Sequence, residues 1–162
     1  MKVFYDFYGN EVKWNDEQGL FEETAAHVFV ICSYDGKWLL TKHPKRGIEF
    51  PGGKVEENES PVQAAMREVH EETGGITGEI LPLGEYKVEG GAATIIKAVY
   101  YAKVISMQDK MDYMETDGPV LLDQLPDDYQ TSPEYSFIMK DQVVPYSLDQ
   151  LSKINTNAAG HE

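Results

Sequence analysis

The chain has 162 residues, the size of one domain with a real core, and its 41% hydrophobic and 11% aromatic content excludes a disordered chain. Lys and Arg total 14 against 28 Asp and Glu, a net charge of −14 that argues against capture by duplex nucleic acid or an anionic membrane surface but suits a multivalent cation bridging acidic protein to acidic substrate. Cys32 is alone, so no internal disulfide can form, "MKVFYDFYGNEVKW" lacks a signal-peptide core, and nowhere do about 18 apolar residues run together; one soluble, cytoplasmic domain over residues 1–162 is the expectation.

In chain order, "KVFYDFY" and "EVKW" flank Gly9 and Asn10, which readily take positive φ, and predict a hairpin. Asp35-Gly36 is a stronger turn signal and predicts a second hairpin within "AHVFVICSYDGKWLLTKH". Alternation puts Ala26, Val28, Val30 and Cys32 on one face of its first strand and Phe29 and Ile31 on the other. Both faces are apolar, so helices are expected on both sides of a sheet.

Pro51-Gly52-Gly53 then gives backbone freedom for close approach to a ligand. Ser60 as N-cap, Pro61 at N1 and Gln63 at N3 fix the start of a helix, and Gly74-Gly75 stop it. At about 100° per residue, Val62, Met66, Val69 and Thr73 form the predicted core stripe, with Glu68, Glu71 and Glu72 on a neighbouring arc. Like charges three and four apart repel by roughly 0.2–0.5 kcal/mol per pair. They form either a solvated acidic face or one side of a cation site, where glycine-loop carbonyls and the carboxylates would supply the oxygen ligands that Mg²⁺ prefers.

Downstream, "EILPLGEYKV" and "ATIIKAVYYAKV" predict strands joined around Glu89-Gly90-Gly91. "PVLL" is a short apolar run, "SFIMKD" and "SLDQLSKI" look helical, and the end from about residue 152 to 162 is expected to fray.

The string "GKVEENESPVQAAMREVHEETGG" resembles the Nudix hydrolase box, matching it at Gly53, Glu59, Arg67, Glu68, Val69, Glu71, Glu72 and Gly74 and departing from it at Gly75, where an aliphatic residue is usual. The resemblance implies an α/β fold, an α/β/α sandwich with a central mixed β-sheet. It also implies divalent-metal ligation, by Mg²⁺ or Mn²⁺, through Glu68, Glu71, Glu72 and the Gly52 carbonyl. Glu68 becomes the first choice of general base, and Arg67 either orients the carboxylates and phosphoryl charge or serves as a structural ion pair. Gly53, Glu59 and Gly74 become structural supports, with Glu59 fixing the loop. Many members add a glutamate from a distant loop; Glu115 is the candidate here, as further ligand or as base, against a solvated loop carboxylate.

Lys42, His43, Lys45 and Arg46 are the compact basic cluster before the box, so Lys42 and Arg46 are candidates for a triphosphate, against ordinary surface charge. Phe137 is either a base-stacking ring or a core aromatic. From about Phe4 to Leu151 the chain resembles a bacillus-type nucleoside-triphosphatase branch of the family, through "HVFVIC", "GKWLLT", "EFPGGKVE", "ETDGPVLL" and "SFIMKD". That branch is described as acting on oxidised guanine nucleotides such as 8-oxo-dGTP, or on RNA 5′ triphosphate ends. The resemblance therefore implies a nucleotide or an RNA 5′ end as partner, cleaved to a monophosphate plus pyrophosphate. Alternatives are a non-catalytic nucleotide sensor of the same fold, or hydrolysis of another nucleoside diphosphate derivative; the markers of two such branches are missing around Gly91, Ala92 and Ala93.

Overall fold

The structure, a computed structural model, describes residues 1–90 and 93–159, with the side chains of 156–159 excepted. Gly91 and Ala92, in the expected turn after Glu89-Gly90 and beside the positions of the other branches' markers, lie outside the described residues.

Both expected hairpins form. β1 (Lys2–Tyr5) and β2 (Glu11–Asn15) pair antiparallel, and the Asp6 carboxylate closes their turn by accepting from the backbone N–H of Tyr8 and of Asn10. β3 (His27–Tyr34) and β4 (Lys37–His43) are joined by Asp35 and Gly36, both at positive φ. The next strands are β5 (Gly47–Glu49), β6 (Gly52–Lys54), the long antiparallel pair β7 (Gly75–Gly90) and β8 (Ala93–Met107), and β9 (Pro119–Leu122). Among the described residues they form one sheet in the order β1-β2-β7-β8-β3-β4-β5, with β6 paired to β3 and β9 to β4. Only the β3–β8 pairing is parallel in that set, so the sheet is mixed.

Alternation along β3 separates two cores. Val28, Val30 and Cys32 pack with Ala64, Ala65 and Val69 of α1 (Pro61–Thr73), whereas Phe29 and Ile31 pack with Val143, Val144 and Leu151 of α2 (Val143–Ala159). Helices thus cover both faces, the α/β/α arrangement. Ala26 is exposed and precedes the strand, which corrects its expected place on the inner face.

The stripe expected on α1 is also corrected. Val62 and Met66 are 42% and 46% exposed, while Ala64, Ala65, Val69, Glu72 and Thr73 are buried. Two alanines let the helix sit close to the sheet, and the buried face is rotated toward the acids, so Glu72 lies on the core side. Of the end expected to fray, residues 152–159 are helical and 160–162 lie outside the described residues. α2 continues to Ala159, because Leu151 is buried and Ile154 packs against the same core. "SFIMKD" contributes a 3₁₀ turn, Phe137–Met139, capped by Ser136.

Candidate active site

Local chemistry fixes both ends of α1. Ser60 accepts from the Gln63 N–H at 3.1 Å while the Gln63 side chain accepts from the Ser60 N–H at 2.8 Å, the reciprocal box that the sequence predicts. Gly74, at φ 78°, ends the helix in the left-handed conformation and turns the chain into β7. The last carbonyls find donors: Thr41 and Thr116 hydroxyls each donate to the Glu72 carbonyl at 3.1 Å, and Lys110 Nζ donates to the His70 carbonyl at 3.2 Å. These bonds tie β4 and the loop carrying Glu115 to the acidic end of the helix.

The glycine loop lies directly against the carboxylates. The Gly52 N–H donates to Glu72 Oε1 at 3.2 Å. A Cβ on Gly53 would fall within the Glu68 carboxylate, 2.6 Å from its Cδ, so only glycine lets Glu68 come up to the loop.

Arg67 holds the acids together. Its Nε and Nη2 donate to Glu59 at 2.8 and 2.9 Å, Nη2 also to the Lys54 carbonyl at 2.9 Å, and Nη1 to Glu68 at 2.8 Å and Glu71 at 3.2 Å. The repulsion along the helix is thus offset by one guanidinium whose donors are almost fully used. Hydrogen bonding to Arg67 holds Glu59 down at about 2, and the same bond raises Arg67 above its ordinary range. Burial pushes Glu72 well above the carboxylate range, and the adjoining Glu68 adds to the effect. Glu68 is raised by its own burial, against the pull of hydrogen bonds with Glu72 and Arg67.

An open cleft of about 590 Å³ is lined by Gly52, Gly53, Glu68, Glu71, Glu72 and, at the rim, Glu115. That volume lies within the range of about 300–1,000 Å³ typical of small-molecule sites. No three His, Cys, Asp or Glu side chains among the described residues already converge as a cation cage. The donors nevertheless suit Mg²⁺: they are hard oxygens, and the absence of a side chain at Gly53 lets the Glu68 carboxylate come up to the loop.

The sequence-predicted residues divide clearly. Arg67, Glu68, Glu71, Glu72, Gly52, Gly53 and Glu115 all line this cleft, and Glu59 stands behind it on Arg67. Arg46 reaches it as well, held by Glu49 through Nη2 at 2.7 Å and Nε at 3.2 Å. Lys42 does not. On β4 the Thr41 and His43 side chains face the cleft side, so alternation sends Lys42 to the opposite face, where it is exposed. Phe137 is half-buried outside the main core and lines a smaller recess with Ile138, Lys97 and Glu49. Its ring packs against Tyr8, centroids 5.0 Å apart.

Sequence reasoning missed Glu49, His27 and Lys97. Glu49 is 3% exposed and anchors Arg46; His27, at the junction of cleft and recess, has a buried Nδ1 with no partner. Alternation could have placed His27 on the Phe29 face, but no local signal shows that Lys97, 70 residues on, is its register partner across the parallel β3–β8 pair.

A mixed sheet between two helices, presenting a glycine loop and a carboxylate helix to one cleft, defines an α/β/α protein with an acidic cleft at one side of its sheet. Residues 22–110 match the NUDIX domain, and the chain belongs to the Nudix hydrolase family. It is 46% identical over 153 residues to YtkD of Bacillus subtilis (strain 168), a candidate 8-oxo-dGTP diphosphatase, covering 94% of this chain and 97% of the relative. Its fold is similar to the crystal structure of the E68A mutant of the Bacillus subtilis pyrophosphohydrolase BsRppH, with a TM-score of 0.92 and 45% identity over 94% of this chain and 97% of that one. An ADP-ribose pyrophosphatase of the same bacterium is 26% identical over 121 residues, 69% of this chain and 65% of that protein. Among the described residues no helix is long and apolar enough to cross a membrane.

Proposed function

We propose that this hydrolase is a Mg²⁺-dependent pyrophosphohydrolase, with Mn²⁺ an alternative, that cuts a guanine-type nucleoside 5′-triphosphate such as 8-oxo-dGTP, or an RNA 5′ triphosphate end, to a monophosphate plus pyrophosphate. One observation carries the reading: Glu68, Glu71, Glu72 and Gly52 face a single cleft in which one guanidinium already organises two of the acids. Glu68, Glu71, Glu72, the Gly52 carbonyl and Glu115 would hold the metal. Bound there, it would offset phosphate charge and make water acidic enough to attack phosphorus near neutral pH.

The chain's own groups do the rest. Glu68 accepts the proton of the attacking water as the P–O–P bridge breaks and pyrophosphate departs with the bridging electron pair. Arg67 and, through it, Glu59 keep the Glu68 and Glu71 carboxylates turned inward. Arg46, fixed by Glu49, supplies positive charge at the cleft wall to meet phosphate oxygens. The names of the near relatives support the same bond chemistry. A cytoplasmic place of action belongs to the same proposal.

The test is direct. Purified protein is incubated with GTP, 8-oxo-dGTP and triphosphorylated RNA, each with and without Mg²⁺, and pyrophosphate is measured. Metal-dependent release from at least one substrate is expected, and no release from any rejects the proposal.

A further inference from the structure

The hairpin between β4 and β5 is closed by one of its own side chains. β4 ends at His43, and Pro44, Lys45 and Arg46 lead to Gly47, which pairs with His43 at the start of β5. Pro44 holds the residue before it extended, as a strand end requires. His43 Nδ1 accepts the backbone N–H of Lys45 and of Arg46, each at 3.1 Å. A ring nitrogen that accepts carries no hydrogen, so the hydrogen of this imidazole sits on Nε2. The ring lines the acidic cleft, and among the described residues no acceptor meets Nε2, although Glu115 lines the same cleft. A second donor stands three residues on. Arg46 uses Nε and Nη2 on Glu49, which leaves Nη1 free for the cleft. The root of the hairpin is held from the other side as well, where the Asp117 N–H donates to the Lys42 carbonyl at 2.8 Å. The carboxylates come from α1 and these donors from β4 and its hairpin, so the cleft has one wall for a cation and another for an anion.

We propose that His43 contacts the substrate, its Nε2–H donating to a phosphate oxygen of the departing pyrophosphate beside Arg46. The inference rests on the pyrophosphohydrolase reading and adds a residue to it. In-line displacement puts the attacking and departing oxygens on opposite sides of phosphorus. With the water at Glu68, the departing group lies away from α1, toward the elements that supply His43 and Arg46. Negative charge grows on that group as the P–O bond breaks, and a donor already fixed in direction stabilises it without reorganising. His43 gives a hydrogen bond and transfers no proton; its tautomer is set by the hairpin backbone.

The two ring nitrogens can be removed one at a time. In His43→Asn the side-chain oxygen stands where Nδ1 does and still accepts from Lys45 and Arg46, but nothing reaches as far as Nε2. In His43→Gln the amide nitrogen stands where Nε2 does and the near acceptor is lost. With Mg²⁺ and the triphosphate that wild type cleaves fastest, His43→Asn should melt like wild type and lose about ten- to a hundredfold in kcat, the scale of one hydrogen bond to a charged group. His43→Gln should melt lower and recover part of that loss. If His43 only closes the hairpin, the order reverses, with His43→Asn fully active and His43→Gln impaired, and the proposal fails. A second arm needs no turnover: magnesium pyrophosphate is titrated into wild type and His43→Asn by calorimetry. Wild type should bind it about ten- to a hundredfold more tightly, and equal affinities overturn the contact even if hydrolysis proceeds. Pyrophosphate binding that depends on His43, with no triphosphate cleaved, keeps the contact and rejects the hydrolytic reading instead.

Discussion

The acidic cleft and the recess beside it share four residues and little else. Most of the cleft comes from a single stretch, Gly52 to Glu72, and is dense with charge: four carboxylates, Glu56, Glu59, Glu68 and Glu71, stand within 4.0 Å of one arginine. The recess is assembled from β3, β5, β8 and the 3₁₀ turn and sets aromatic walls beside His27, Arg46, Glu49 and Lys97. Side chains fixed by a local helix and loop can be placed by spacing alone, whereas a site built across strands depends on register. Glu68, Glu71 and Glu72, the carboxylates proposed to hold the metal, all belong to the local part.

The difference can be broken at its strongest point first. Glu72→Gln should lower hydrolysis by about 10²–10³-fold or more, the scale of losing one group that stabilises transition-state charge, with no loss in melting temperature, because burial disfavours the Glu72 carboxylate that it replaces. Pyrophosphate release and a thermal melt on the same sample decide it; retained activity would remove the cleft from catalysis. Gly53→Ala should follow, because the added methyl occupies the space of the Glu68 carboxylate. A fall of about tenfold to a hundredfold is expected, with circular dichroism unchanged.

Arg67→Met comes next and affects both properties. Removing the shared donor of Glu59, Glu68 and Glu71 should cost about tenfold to a hundredfold in kcat and about 1–3 kcal/mol in denaturant unfolding. A loss of stability with full activity would leave Arg67 as a structural ion pair alone.

The two regions should also differ in pH response. Glu59 beside Arg67 is held down at about 2 when folded, so its contribution to stability is present above its ordinary value near 4.5 and is lost as pH falls toward 2. Asp141, which caps the start of α2 by accepting from the Val143 N–H at 2.8 Å, is pushed up to about 6, chiefly by burial. Its contribution has the opposite sign: full below its ordinary value of 3.8, and lost as pH rises through about 6. Asp141→Asn keeps the accepting oxygen and should gain about 1–2 kcal/mol at pH 8, after allowance for partial exposure, and nothing at pH 4. Denaturant midpoints at the two pH values measure this, and an equal effect at both would contradict the assignment.

The smallest effect belongs to a residue that the sequence made a candidate. Lys42→Ala should change kcat/KM less than about twofold, on the scale of an exposed charge remote from the site, since alternation on β4 turns it away from the cleft.

These contrasts show what was legible in the chain. The capping residues, the Asp35-Gly36 turn, the two-faced β3 strand and the carboxylate helix are local features, and each appears where the sequence puts it. The α1 face departs from its apolar ranking, in which Val62 and Met66 stand above alanine, because close packing on the sheet favours Ala64 and Ala65. Glu49, His27 and Lys97 escaped notice because their neighbours are set by strand order, including the parallel β3–β8 pair, which no spacing along the chain reveals.

The claim that the cleft holds a dication can be tested without substrate. Mn²⁺ is titrated into wild type, Glu72→Gln and Lys42→Ala, and the free ion is followed by electron paramagnetic resonance at constant ionic strength. Saturable binding by wild type and Lys42→Ala, lost or much weakened in Glu72→Gln, is the result this account expects. Equal binding by all three would assign the ion to the diffuse acidity of the surface and leave the carboxylate helix without its function.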